Sequence, residues 1–161
     1  GTVRIYVQKN SGGHPINSQN LEKFLAKERE LGIYSKESWD GFTVQVKKLK
    51  IDLVGLLSSL KQNGKRIVNY SASAKGNTLL NYCSIGKDLV DFAVDKSRHK
   101  QGLLTPGMQI PVFAPEKIAA EKPDYLLILA WNLAEEIMEQ QKAFKESGGH
   151  FIIPIPTPRI I

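Results

Sequence analysis

The chain has 161 residues, 42% of them hydrophobic, one cysteine and a formal net charge of +6. That length holds one packed domain and is too short for two of full size. Cys83 cannot make an internal disulfide and has no Cys-x-x-Cys or Cys/His companion at metal-ligand spacing, so a reducing, cytoplasmic setting is expected. The longest apolar run, Tyr125 to Trp131, is far too short to cross a bilayer, and no signal-peptide pattern opens the chain, so no membrane partner is expected. The positive charge leaves nucleic acid, a small anionic ligand, or simple solubility. The lysines are scattered through amphipathic segments, with one tight group at Lys47, Lys48 and Lys50, and no basic stretch is rich in aromatics, which argues against a nucleic-acid partner.

In chain order, Thr2 to Gln8 alternates Val3, Ile5 and Val7 with Arg4 and Tyr6 and predicts a strand. Asn10 to Pro15 is a turn by composition. Ser18 or Asn20 is placed to cap a helix carrying Leu21, Phe24, Leu25 and Leu31, which Gly32 ends. From Ser38 to Gln62, Phe42, Val46, Leu49, Leu53, Leu56, Leu57 and Leu60 recur at helical spacing, and Asn63-Gly64 stops that helix. The pattern then changes. Arg66 to Tyr70 predicts a strand, small residues open a helix, and Leu89 to Asp95 predicts a second strand, together a βαβ unit. A short third strand is expected near Ile110 to Phe113, with Pro115 opening a helix that ends before Pro123. Tyr125 to Ala130 reads as a fully buried strand, Asn132 to Glu146 as one amphipathic helix, and Phe151 to Ile155 as the strand that closes the sheet. The expectation is an α/β fold: a Rossmann-like, doubly wound, mainly parallel sheet with helices on both faces, preceded by a strand and two helices. Residues 1–64 are expected to pack on the same core as the Rossmann-like region 65–161, making one compact domain.

In such sheets ligands sit beyond the carboxyl ends of the strands, so the loops starting at Ser71, Asp95, Ala114, Trp131 and Pro156 carry the function. The first runs Ser71-Ala72-Ser73-Ala74-Lys75-Gly76-Asn77-Thr78. Small residues let backbone amides approach an anion at a helix amino terminus, and Lys75 adds a full charge, so the segment has the outline of a phosphate cradle. It is neither a dinucleotide fingerprint, since Asn69 and Ser71 stand where two glycines would be, nor a Gly-Lys-Ser/Thr phosphate loop. A plain strand-to-helix turn with an exposed lysine is the alternative. Asp95, ending the second strand, can accept hydrogen bonds from a ribose or cap a turn. Lys100-Gln101-Gly102 offers a charge, an amide and a flexible backbone beside the same crevice, or a solvated loop. Trp131 can stack on a base or sugar face, or seal the core edge. Asn132 is placed to cap the following helix, with Glu135 completing a capping box. Cys83 lies among Leu79, Leu80 and Tyr82 and should be buried, and His14, His99 and His150 show neither nucleophile nor metal spacing.

Four ordered segments carry a family resemblance: YSASAKGNTLLNYCSI at 70–85, DKSRHKQGLLTPGMQIP at 95–111, LILAWNLAEEIM at 127–138 and GGHFIIPIP at 148–156. They resemble the carboxy-terminal domain of the S-adenosylmethionine-dependent C-methyltransferases that act on nucleotide-linked deoxysugars, and Gly1-Thr2-Val3-Arg4 resembles the end of an upstream strand in that family. The family usually has glycine at positions 71 and 84, where this chain has serine. Methylating a sugar carbon takes a base beside a carbonyl and a sulfonium methyl held in line with the enolate. The resemblance places the donor domain, a small zinc-bearing domain and the candidate base before Gly1. It therefore implies S-adenosylmethionine and zinc for a longer enzyme and neither in this chain. What remains for these residues is a nucleotide-diphosphate sugar, dTDP-linked by preference, held by Ser71, Ser73, Lys75, Gly76, Asn77, Thr78, Asp95, Lys100, Gln101, Gly102 and Trp131, with no catalytic or metal-binding residue and an upstream donor domain as partner. The competing expectation is an independent NAD(P)-binding oxidoreductase, motivated by the Rossmann-like alternation alone.

Overall fold

The computed structural model describes residues 4–161. The chain divides into two compact units, Gly1–Val44 and Gln45–Ile161, and the division falls inside the second helix.

In the first unit, α1 spans Ser18–Glu30. Its cap is Asn17, one residue earlier than expected, whose side chain accepts from the Asn20 N–H at 3.1 Å. No residue of α1 is buried, and Leu21 and Phe24 are exposed despite their helical spacing. Ser35 caps the start of α2, Lys36–Gln62, by accepting from the Ser38 N–H, and the Trp39 indole N–H donates to the Ile33 carbonyl at 2.8 Å. The expected strand at Thr2 to Gln8 is not formed over Arg4–Gln8, where Ile5, Tyr6 and Val7 are exposed; Thr2 and Val3 lie outside the described residues. Alternation supplies a two-faced ribbon, but a strand also needs a ladder partner, and Arg4–Gln8 has none among the described residues.

The second unit holds the sheet: β1 Ile67–Tyr70, β2 Ala93–Val94, β3 Val112–Phe113, β4 Tyr125–Ile128, β5 His150–Ile153 and β6 Arg159–Ile160, in the order β3-β2-β1-β4-β5-β6. All neighbours are parallel except β5 and β6. β1 sits between β2 and β4 with all four residues buried, as a continuous apolar run covered on both faces should be. On one face, Leu53 and Leu57 of α2 and Leu79, Leu80 and Cys83 of α3 (Ala74–Cys83) pack on Ile67, Ala93, Leu127 and Ile152. On the other, Ile118 of α4 (Lys117–Glu121), Ile137 of α5 (Ala134–Gln140) and Phe144 of α6 (Lys142–Glu146) pack on Val68, Tyr70, Leu126, Ile128, Phe151 and Ile153. The period-two split of each strand between two helical layers makes this the doubly wound, Rossmann-like α/β sheet expected from the sequence.

Three boundaries differ from expectation. Of Leu89 to Asp95 only Ala93–Val94 is strand. The Leu89 and Val90 N–H groups both donate to the Gly86 carbonyl, so those residues are apolar because a buried turn is, not because they sit in the ladder. Asn132 to Glu146 is not one helix but a 3-10 turn, Trp131–Leu133, followed by α5 and α6, which break at Gln141. The sheet is closed by β6 and not by the 151–155 segment: after three prolines the chain returns, and Ile161 and Phe151 exchange backbone hydrogen bonds of 2.9 and 3.1 Å.

The two serines that stand where the resemblance implied glycines adopt a backbone conformation that favours glycine. Ser71 has φ +80° and Ser84 φ +57°, both in the left-handed region. At Ser84 the N–H bonds the Asn81 carbonyl and the Ile85 N–H bonds the Leu80 carbonyl, a Schellman closure of α3 with Leu80 and Ile85 in the same core cluster. An L side chain in that conformation costs about 1–2 kcal/mol, of which glycine's greater unfolded freedom offsets part. Ser84→Gly is expected to raise unfolding free energy by about 0.5–1 kcal/mol in urea titrations; a loss of stability would show that the serine hydroxyl contributes more than the strain removes.

Candidate functional site

The strand order reverses between β1 and β4: the chain leaves β1 through α3 to reach β2 on one side and comes back through α4 to β4 on the other. The crevice beyond the carboxyl ends of those two strands is where this fold class binds ligands. The 71–73 and 129–132 segments meet there. Ser73 caps α3 by accepting from the Gly76 N–H at 3.2 Å, and the Asn77 N–H bonds the Ser73 carbonyl at 2.9 Å. The N–H groups of Ala74 and Lys75 keep no acceptor in the chain among the described residues. Lys75 reaches across the crevice, its Nζ 3.1 Å from Asn132 Oδ1 and 5.6 Å from the centre of the Trp131 ring. Asn132 is therefore a lysine partner and not a helix cap: lying inside the 3-10 turn, it does not flank α5, whose start has no side-chain cap.

Gly76 serves packing. A Cβ on it would lie 2.6 Å from the Leu129 Cβ, so the helix start sits directly on the end of β4. Asn77 and Thr78 are already in α3, where the Thr78 hydroxyl donates to the Ala74 carbonyl. Beneath the crevice, Asn69 is wholly buried in β1 with neither side-chain amide atom hydrogen-bonded among the described residues.

The neighbouring loop, after β2, is organised by Asp95. Its Oδ2 accepts from the Ala72 N–H at 2.8 Å and from Lys100 Nζ at 2.9 Å, its Oδ1 from the Ser97 N–H at 2.9 Å, and its carbonyl from the Gln101 side chain at 2.9 Å. The residue is only 8% exposed. Burial pushes the carboxyl up, but the bonds from Ser97, Lys100 and Ala72 outweigh it and hold the group below the ordinary aspartate range. Asp95 thus clasps the loop after β1 to the loop after β2 and fixes Lys100 beside them. Gly102, at φ +81°, turns the chain so that its N–H bonds the Val112 carbonyl at 2.9 Å. Cys83 is buried, 2% exposed, and burial pushes its thiol up, as its apolar neighbours suggested.

Beyond β4, β5 and β6 a groove of about 570 Å³ opens, lined by Trp131, Glu135, Glu136, Ile153, Ile155 and Arg159 among others. The sequence singled out Trp131 but not Arg159, because a two-residue edge strand at the end of the chain leaves no periodic signal.

Residues 1–156 match the family model of the C-methyltransferase C-terminal domain. The chain belongs to that family. It is also 35% identical, over all 161 residues, to the C-methyltransferase NovU of Streptomyces niveus, and it spans 38% of that relative's length. The four motifs read from the sequence thus identify the family correctly, and the oxidoreductase alternative finds no support. In the loop after β1, Gly76 is committed to Leu129 and the Asp95 carboxylate accepts from three donors of the chain. Among the described residues no three His, Cys, Asp or Glu side chains converge on a common point, and no helix is long and apolar enough to cross a membrane.

The Asp95 clasp has a pH signature. Because the folded pKa is depressed, its stabilisation is fully present above the unfolded value near 4 and is lost as pH falls through the folded value. Asp95→Asn is expected to cost about 1–3 kcal/mol at pH 7, with the gap to the parent closing below about pH 4. A gap that stays constant from pH 7 to pH 3 in denaturant titrations would show that the carboxylate charge contributes nothing.

Proposed function

We propose that this domain holds the diphosphate of a nucleotide-linked deoxysugar, dTDP-linked by preference, and presents the sugar to a methyl-donor domain elsewhere in the same polypeptide, working in the cytoplasm. The observation that carries the reading is Lys75: a cation at the amino end of α3, beside two uncommitted N–H groups and at the strand-order reversal, is what a phosphate needs. Lys100, held by Asp95 over the adjoining loop, supplies a second cation and the Ser71 hydroxyl a donor, while Ser73, whose hydroxyl accepts from the Gly76 N–H and donates to the Leu129 carbonyl, acts by seating the start of α3. Gln101 and Gly102 shape the wall on the β2 side, and Trp131 offers an aromatic face on the β4 side. Gly76, Asn77 and Thr78 act through α3, which they seat and start, with Gly76 fitting the helix onto β4.

Membership in a C-methyltransferase family and the 38% coverage of NovU both favour a division of labour within a longer protein. In that division S-adenosylmethionine supplies the methyl group and zinc belongs to another part of the polypeptide, while the residues of this chain bind and orient the sugar nucleotide. Isothermal titration of the chain with dTDP and dTDP-sugars is expected to show saturable binding, weakened about tenfold by Lys75→Ala while the thermal unfolding profile is kept. Absence of nucleotide binding by folded protein, or an unchanged affinity in Lys75→Ala, would overturn the anchor role.

A further inference from the structure

The Lys75–Trp131 contact joins the crevice to the groove that ends at Arg159, and the two differ in chemistry. In the crevice, cations and backbone donors gather around the α3 start. The groove has an apolar floor of Ile153 and Ile155, one indole and one guanidinium, with Glu135 and Glu136 on its rim. The pairing of Arg159 with Ile153 puts both side chains on the face of the sheet that α5 covers, so the guanidinium rises from the edge strand toward the same space as Trp131. Neither Lys75 nor Arg159 forms an ion pair with a carboxylate among the described residues. Two carboxylates on the rim oppose a diphosphate, whereas a flat, uncharged heteroaromatic ring fits an indole face, an aliphatic floor and a planar donor. A volume of about 570 Å³ is within the range of small-ligand pockets.

We propose that this groove is the nucleoside subsite: Trp131 stacks on the base and Arg159 donates to the base carbonyl or ribose oxygens, while the diphosphate lies at Lys75. The Lys75 ammonium stands over the Trp131 ring; a bound diphosphate draws it away and leaves the indole to the base. The assignment deepens the reading that the domain anchors a nucleotide diphosphate and rests on it. Arg159 becomes a specificity-determining residue that separates nucleotides from bare diphosphate.

The test compares dTDP with inorganic pyrophosphate by calorimetry on the parent chain, Trp131→Leu, Arg159→Gln and Arg159→Lys. Trp39→Phe makes Trp131 the sole tryptophan for fluorescence, since the chain has two. Trp131→Leu is expected to weaken dTDP about tenfold and Arg159→Gln about fivefold, with Arg159→Lys between parent and glutamine variant and pyrophosphate affinity held within about twofold throughout. Trp131 emission should shift with dTDP and lose that shift in Lys75→Ala. Arg159 is exposed at the sheet edge, so its variants remain folded even where Trp131→Leu does not. If the parent binds dTDP no better than pyrophosphate, or if the Arg159 variants bind dTDP like the parent or lose both ligands alike, the nucleoside subsite is overturned while the diphosphate anchor stands. If the parent binds neither ligand, both fall.

Discussion

The parallel pairing of β1 with β4 is the constraint on which the rest depends. All four residues of β1 are matched one to one with β4, Ile67 with Tyr125 through Tyr70 with Ile128, and β2 takes the other side at Asn69 and Tyr70. Because both ladders run in the same direction, each connection must cross a face of the sheet, and the crossing helices bury the alternate side chains above and below. The same register brings the end of β4 under the start of α3, where Leu129 meets Gly76 so closely that only a glycine fits. Shifting β1 by one residue would exchange its two faces and open the crevice at once.

Charge is divided along the strand direction. At the amino ends of β1, β2 and β4, Arg66 bonds Asp91 and Glu121, Lys61 bonds Asp91, and Lys65 bonds Asp124, so those basic side chains face acidic partners. At the carboxyl ends, Lys75 has an amide and an aromatic ring for partners and Arg159 lines an open groove. A net charge of +6 therefore says little by itself; what distinguishes Lys75 and Arg159 is the side of the sheet on which they stand. On that side Glu135 and Glu136 line the groove, while the bonds of Asp95 are spent within the chain, on Ala72, Ser97 and Lys100.

Ser71 and Ser84 show how a backbone conformation that favours glycine can be kept with a side chain attached. Glycine suits both positions because φ is positive, and this chain keeps that conformation with a side chain attached. At Ser71 the N–H still bonds the Val94 carbonyl at 2.8 Å, so the turn that leads from β1 into α3 stands despite the strain. The serine leaves a hydroxyl at the crevice where a glycine would present bare backbone.

The sequence by itself determined the fold class and the family, because both rest on information carried within short segments. Buried parallel strands are apolar runs of a few residues, helices repeat at three to four, and the four motifs are contiguous stretches of chain. It also determined that Cys83 is buried, since its helix neighbours are apolar. What the tertiary structure decided were the pairings between segments far apart in sequence. Lys75 meeting Trp131 and Asn132, Asp95 meeting Ala72, Gly76 meeting Leu129 and Arg159 standing opposite Ile153 all follow from which strands lie side by side. The alternating segment at Arg4 to Gln8 makes the converse point, since its pattern is that of a strand and it forms none. Hydrophobic periodicity fixes which face of an element is apolar; only the assembled sheet fixes what that face, or the loop at its end, will touch.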